Sequence, residues 1–265
     1  MKKNKRKVFL VIGTILICFL FFVVNSREDQ NIIEETARPE NSKDKLWWLN
    51  SGAYAIIDGG DISTIQGRLP APSIWRLLYA RNNPFDTKEG LYPQNVFRLL
   101  TKNIVEESTF ETYAEIKKIN EIDSPNRNES NGVLIFQRYQ DSNNLYYAGI
   151  RVDGNAVIKK KINGAYYTLA EQKMFNGTYD RKKNVTLIPL QKRIGIRVIT
   201  TDTADNSVMI RLFLDKEGSN QWEEVLATID DGSIGGKPLQ AKGRAGIRAD
   251  FMDASFKKIR LSKEY

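Results

Sequence analysis

The sequence predicts an all-β fold, and three observations carry the prediction. The run from Gly132 to Ala170, GVLIFQRYQDSNNLYYAGIRVDGNAVIKKKINGAYYTLA, reads as four consecutive strands forming an antiparallel meander. Two of its joints, Asp153-Gly154 and Asn163-Gly164, suit the positive-φ positions of a type I′ hairpin turn. The third joint, Asp141-Ser142-Asn143-Asn144, consists of side chains that bond their own backbone. Elsewhere strands recur at intervals of about 8–15 residues with no sustained helical period, the rhythm of a sandwich or barrel.

Taken in order, residues 1–7 form a basic tail and residues 8–24, VFLVIGTILICFLFFVV, an unbroken apolar run. At the helical rise this run covers about 25 Å, near the lower limit for a bilayer. It reads as a single transmembrane helix or a signal segment. An uncleaved anchor is the better fit, because Val24-Asn25-Ser26 matches a cleavage site only loosely. Cys18 follows Leu16-Ile17 rather than small residues, which argues against lipoprotein processing. The basic tail places that end in the cytoplasm and everything after Asn25 outside, with the lipid bilayer as a partner. Residues 25–45 are polar with one proline and read as a linker, leaving 46–265 as one extracytoplasmic β-sandwich domain.

Charge and absences narrow the chemistry. Of 40 basic residues five lie in the tail, which leaves 35 against 32 acidic residues, a net +3 beyond residue 7. The basicity is mostly a topology signal, and neither a nucleic-acid nor a nucleotide partner is expected. With no histidine, an imidazole base and a histidine-ligated metal are excluded. The only cysteine is Cys18, so the domain has no disulfide and must be held by its core.

Within the domain, adjacent Trp47 and Trp48 point to opposite faces of a strand, so at most one is core. Asp58-Gly59-Gly60-Asp61 is a turn, 63–68 a short strand, and 75–79 a strand or helical turn. Residues 82–95 form an irregular functional-length loop in which Asp86, Glu89 and nearby amide oxygens could hold a calcium ion, although their spacing matches no standard calcium loop. Residues 96–100 and 109–119 are strands, the second with a bulge or face switch expected near Tyr113. After a loop at 123–131 comes the meander. A long connection at 174–189 leads to strands at 193–199, 207–214 and 222–229, and the chain ends in strands 243–251 and 254–261 around a Met252-Asp253 corner.

Side chains alternate faces along a strand. One meander face is expected to collect Leu134, Phe136, Tyr146, Ala148, Ile150, Val152, Ile158 and Ile162 as core, with Arg138 and Lys160 near strand ends. The other collects Gln137, Tyr139, Tyr147, Gly149, Arg151, Lys159 and Lys161, after Val133 and Ile135. The candidate ligand-binding set is therefore Gln137, Tyr139, Tyr147, Arg151, Lys159 and Lys161, an aromatic, amide-bearing and cationic surface. The plain alternative is a solvated face covered by long lysines.

Phe136-Gln137-Arg138-Tyr139-Gln140-Asp141, Asn144-Leu145-Tyr146-Tyr147 and the ending from Gly243 to Phe256 resemble concanavalin A-like jelly-roll domains, nearest the family-16-like or 3-keto-disaccharide hydrolase-like type. The resemblance implies two curved antiparallel sheets with a face that often binds glycans, a statement about fold more than activity. Glu121-Ile122-Asp123 continues into Ser124-Pro125-Asn126 instead of a second glutamate, which departs from the retaining-glucanase pattern. Lys257 stands where similar domains carry a calcium-associated aspartate.

The function expected is a membrane-anchored glycan-binding, lectin-like module, its cationic residues favouring an anionic polymer. One alternative is a polysaccharide-cleaving enzyme, either a glycoside hydrolase using Asp141 or Asp153, or a uronate lyase with Tyr139 or Tyr147 as base and Arg151, Lys159 or Gln137 facing the sugar carboxylate. Another is a non-catalytic envelope domain that contacts proteins.

Overall fold

The computed structural model describes residues 31–263. The basic tail, the apolar run and the first residues of the expected linker lie outside them. Among the described residues, no helix is long and apolar enough to cross a membrane.

The strands are β1 (Asn31–Glu34), β2 (Trp47–Ser51), β3 (Tyr54–Asp58), β4 (Asp61–Ser63), β5 (Val96–Thr101), β6 (Ser108–Ile119), β7 (Gly132–Asp141) and β8 (Asn144–Arg151). They continue with β9 (Asn155–Ile162), β10 (Ala165–Lys173), β11 (Arg193–Asp202), β12 (Val208–Asp215), β13 (Glu223–Asp230), β14 (Arg244–Asp250) and β15 (Met252–Lys263). Two short helices, α1 (Ile74–Asn82) and α2 (Pro84–Thr87), lie between β4 and β5. The strands form two sheets. One runs β10-β9-β8-β7-β14-β5-β2 and the other β1-β3-β4-β15-β6-β11-β12-β13. Every neighbouring pair of the seven-stranded sheet is antiparallel, and the meander occupies four adjacent places in it.

The core fills the space between the sheets. Leu49, Phe97, Leu99, Ile135, Ala148, Ile158 and Ile247 meet Phe110, Ile196, Leu212 and Phe256, all effectively inaccessible to solvent. Phe97 and Phe256 stack across the gap with ring centroids 5.9 Å apart. The chain crosses from one sheet to the other at Phe251, whose positive φ of 55° makes the corner between β14 and β15. Trp47 packs on Phe110 at the core side while Trp48 joins a cluster on the opposite face, as alternation requires.

A buried polar network ties the sheets together. Lys160 Nζ on β9 donates to Asp230 Oδ1 on β13 at 2.8 Å and to the carbonyl of Gly236 at 2.7 Å. Tyr146 Oη on β8 donates to the other Asp230 oxygen at 2.5 Å and accepts from the Leu239 N–H at 2.8 Å. Both charges are fully buried. Each is neutralised by the other and hydrogen-bonded by its neighbours, the condition under which a buried pair is tolerated.

A second device sits on β7. Phe136 pairs with Gly246 of β14 and Tyr139 with Arg244, so three steps along β7 match two along β14. The extra residue makes a β-bulge at Arg138, which takes a positive φ of 47°. The Arg138 guanidinium turns inward to Asp202 at 2.8 Å and to the carbonyls of Glu106 and Leu239. Gly243 lies so close that a Cβ there would stand 2.3 Å from the Arg138 carbonyl carbon.

Several expectations are corrected. The stretch read as linker up to residue 45 belongs to the fold from Asn31 on: it carries β1, buries Ile33, and places the Glu35 carboxylate on the Ala53 N–H and the Tyr79 hydroxyl. Its polar composition hid a single inward residue on an edge strand. The strand expected at 63–68 is instead β4, ending at Ser63. The irregular segment 82–95 is compact, with α2 and buried Gln94 and Asn95. No bulge interrupts β6 against β11; Phe110, Ala114 and Ile116 face the core, and Tyr113 simply faces outward onto Trp222. Against β15 the register shifts twice: opposite Tyr113 the extra residue is on β15, between Lys257 and Arg260, and four residues further along β6 it is Lys117 that is extra, between the partners of Asp253 and Ala254. At Asp153-Gly154 only the glycine has positive φ, whereas Asn163 and Gly164 both do, so one of the two expected I′ turns forms.

Two stability predictions follow from the network and the bulge. Lys160→Met, which strands the Asp230 carboxylate, should lower the unfolding free energy by about 3–5 kcal/mol. Gly243→Ala, which drives a methyl into the Arg138 backbone, should cost about 1–3 kcal/mol. Urea unfolding midpoints check both, with the transition slope unchanged if the native state stays compact.

Candidate functional site

The two sides of the meander are set by strand pairing, because residues opposite each other in an antiparallel pair share a face. On β8 and β9 the expected parity holds: Tyr146, Ala148, Ile150 and Ile158 face the core, and Tyr147 pairs with Lys159 and Leu145 with Lys161 on the outer side. On β7 the expected parity is reversed. Val133 and Ile135 face the core, whereas Leu134 and Phe136 join an outer cluster with Trp48, Leu100, Tyr139, Leu145, Tyr147 and Val157. Gln137 is consequently interior. It is 1 % exposed, accepts from Ser108 Oγ at 2.8 Å and donates to the Val198 carbonyl at 3.1 Å. Its expected place on the ligand face is therefore corrected. Residues 133–136 are apolar on both faces and offer no alternation to read, and the bulge at Arg138 then brings Tyr139 back to the outer side.

The outer face thus carries a thin apolar layer roofed by cations. Arg244 lies over the Trp48 ring at 5.7 Å, Arg248 over Tyr147 at 5.7 Å and Lys161 over Tyr166 at 4.5 Å. Phe136 and Tyr139 pack tilted at 5.4 Å, and Tyr147 meets Tyr166 edge-on at 6.2 Å. Among these groups opens a recess of about 170 Å³, lined in part by Arg98, Phe136, Tyr139, Tyr147, Lys161, Tyr166 and Arg248. Of the expected set, Tyr139, Tyr147 and Lys161 converge here. Lys159 is on the same face beside Tyr147. Arg151 is at the far end of β8, engaged with Asp153, with Glu171 at 3.1 Å and with the Glu129 carbonyl. A wider depression on the second sheet, at Thr109 and Arg260, holds Arg197 against Glu111 at 2.6 Å.

Sequence reasoning missed Arg98, Arg248 and Tyr166. Arg98 and Arg248 stand directly opposite each other on β5 and β14. Both interrupt apolar strand centres, VFRLL and GIRAD, and a guanidinium in that position was the available signal. Tyr166 is the outward residue of β10 opposite Lys161.

The acid–base properties follow from burial and from these cations. Burial pushes the Tyr147 hydroxyl up to about 12 despite nearby Arg248, and pushes Tyr139 up despite Arg98. Tyr166 goes the other way. Its partial burial acts upward, but the Lys161 hydrogen bond and the charges of Arg248, Lys161 and Arg98 outweigh it and hold the phenol below its ordinary value. Burial, then the neighbouring Arg248, lowers Arg98; burial also acts downward on Arg248, where the Asp250 carboxylate more than offsets it. Lys159 is lowered by burial and by Arg151.

Asp86, a candidate for calcium, instead accepts from Ser124 Oγ at 2.5 Å and from Asn126 at 3.1 Å, pinning the 123–131 loop. Among the described residues, no three acidic, histidine or cysteine side chains gather as a metal site.

No family model matches the chain, and no curated protein matches it. Solved structures similar to it include the carbohydrate-binding module CBM66 from Bacillus subtilis, with TM-score 0.49 and 14 % identity over 82 % of this chain and 95 % of that one. A basic winged bean lectin with Tn-antigen follows at TM-score 0.42 and 9 % identity, covering 88 % and 98 %. A Bacillus licheniformis β-glucanase stands at TM-score 0.40 and 10 % identity, covering 88 % and 95 %.

A pH titration followed at the ultraviolet phenolate band should show one tyrosine ionising below the ordinary value of about 10. Tyr166→Phe should remove that first step and leave the later ones; a first step that survives the substitution would assign the low value elsewhere.

Proposed function

We propose that this chain is an extracytoplasmic glycan-binding module of the concanavalin A-like jelly-roll type, held at the cell surface by its N-terminal apolar segment, and that the ligand sits on the outer face of the seven-stranded sheet. The observation that carries the reading is the recess itself. The half-exposed ring of Tyr166 lines it together with guanidinium and ammonium donors, and the buried rings of Phe136, Tyr139 and Tyr147 form its floor. Sugars present apolar C–H faces and rings of hydroxyls, and this pairing of stacking surfaces with fixed donors is what binds both.

The recess takes over from the site drawn from the sequence. Tyr147, Tyr139 and Lys161 keep their place in it, Lys159 borders it, and the donors once assigned to Gln137 and Arg151 are supplied by Arg98 and Arg248. A second reading, uronate β-elimination, is favoured by one observation. It needs a tyrosine made acidic by cations, and Tyr166 is shifted that way while Tyr139 and Tyr147 are shifted against it.

The experiment is a glycan-array screen of the detergent-solubilised full chain, with product analysis on every polysaccharide retained. Binding without turnover, weakened at least tenfold by Tyr147→Ala in a variant that still folds though with a lowered melting temperature, is the result expected. Unsaturated uronate among the products, lost in Tyr166→Phe, would put the eliminating enzyme first. Retention unaffected by Tyr147→Ala would move the site off this face. Residence of the chain in the membrane pellet after alkaline extraction checks the anchor separately.

A further inference from the structure

The cations of the recess are not balanced. Arg248 Nε donates to both oxygens of Asp250, at 2.9 and 2.7 Å, and that carboxylate accounts for one positive charge. Arg98, directly across the strand pair, donates through Nη1 to the Val96 carbonyl at 3.1 Å and to Ser51 Oγ at 3.3 Å, both neutral acceptors. Among the described residues, Arg98 has no carboxylate partner. Lys161 adds a further positive charge at the rim.

Like charges placed opposite each other on neighbouring strands destabilise a sheet. Here they are also half-buried, and water screens them less than it would on an open surface. A fold that needed only solubility would place such groups at the strand edges or pair each of them. Burial and then the neighbouring Arg248 lower Arg98, and the Lys161 hydrogen bond with the charges of Arg248, Lys161 and Arg98 holds Tyr166 below its ordinary value against its own burial. An anion in the recess would offset the repulsion between the two facing guanidiniums.

We infer that the recess takes a carboxylate carried by a sugar residue of the glycan, held between the Arg98 and Arg248 guanidiniums with Lys161 at its edge. The planar guanidinium fork matches a planar carboxylate in two parallel hydrogen bonds. The volume of about 170 Å³ is below the range of about 300–1,000 Å³ typical of sites that enclose a whole small ligand. It accommodates one acidic sugar unit, with the rest of the chain lying over the tyrosines. The inference rests on reading this face as a glycan site and adds the class of glycan, a polyuronate or another polymer of carboxylated sugars.

The test measures binding of the full chain in detergent micelles to polygalacturonate, alginate and hyaluronan, each beside its carboxyl-reduced neutral form, with dextran sulfate as a fourth probe. At least one uronate should bind tenfold or more tighter than its reduced form. Arg98→Gln should abolish that difference. Arg98→Lys, which keeps the charge and loses the fork, should restore only part of it. Arg211→Gln, on the second sheet and paired with Glu224, serves as the variant that binds as the parent does. Added polyuronate should also move the Tyr166 ionisation upward, which a purely structural role for Arg98 would not produce. Equal binding of uronate and reduced polymer overturns the carboxylate assignment and leaves the glycan reading standing. Binding of dextran sulfate alone overturns it in favour of a sulfate ester. Failure to bind any polymer, with the protein folded, overturns both.

Discussion

The outer surface of the seven-stranded sheet depends on one inserted residue. Without the bulge at Arg138, Tyr139 would follow Gln137 into the interior and the cluster of Phe136, Tyr139 and Tyr147 would lose a wall. The bulge is stabilised from the inside, since the Arg138 guanidinium reaches Asp202 and two carbonyls in the space between the sheets. It is permitted from the side by Gly243, which leaves room for the displaced backbone. A single local change in strand count thus decides that the Tyr139 ring packs in the outer cluster, a role for which bulges are suited because they re-aim a side chain without breaking the sheet.

The buried network on the other half of the meander does the complementary work. In Lys159-Lys160-Lys161 alternation sends the middle ammonium inward to Asp230 and its neighbours outward beside Tyr147 and Leu145. Desolvating Lys160 and Asp230 costs several kcal/mol each before their attraction is counted. The pair persists because Tyr146, Gly236 and Gly232 satisfy the remaining hydrogen-bonding capacity. The network fixes β8 and β9 against β13 and holds the segment after β13 through Leu239. The strands that carry Tyr147 and Lys161 are in this way anchored from behind, so the outer side chains project from a rigid floor.

Much of this was legible in the sequence, and the remainder fails for identifiable reasons. The meander, the final corner and the parity of β8 and β9 follow from turn residues and from clean alternation over LYYAGIR and AVIKKKI. The β7 parity does not, because Val133 to Phe136 are apolar on both faces. A strand buried on one side by the sandwich and on the other by its own cationic roof has no period to detect. The positions of Arg98 and Arg248 depend on β5 pairing with β14 across some 150 residues, a long-range register that no local pattern encodes. Tyr166 was within the meander but became prominent only once Lys161 was seen opposite it. Ile33 and Glu35 were overlooked because an edge strand with one buried residue has the composition of a tether.

The cationic roof decides between solvation and binding. Lysines and arginines commonly cover apolar sheet surface with their stems while their heads remain in water, and Arg244 over Trp48 fits that description. Snorkelling, however, spreads charged heads apart, because each gains most from its own hydration. Arg98 and Arg248 do the opposite: their strand positions face each other, and the carboxylate of Asp250 is bonded to Arg248 alone. Hydration does not account for that arrangement, and packing alone would be met by any long side chain. The proposed recognition of negative charge would use that arrangement, at a surface lined in part by aromatic rings. An acidic sugar, the ligand proposed, would bring both an apolar C–H face to the tyrosines and a carboxylate to the guanidiniums.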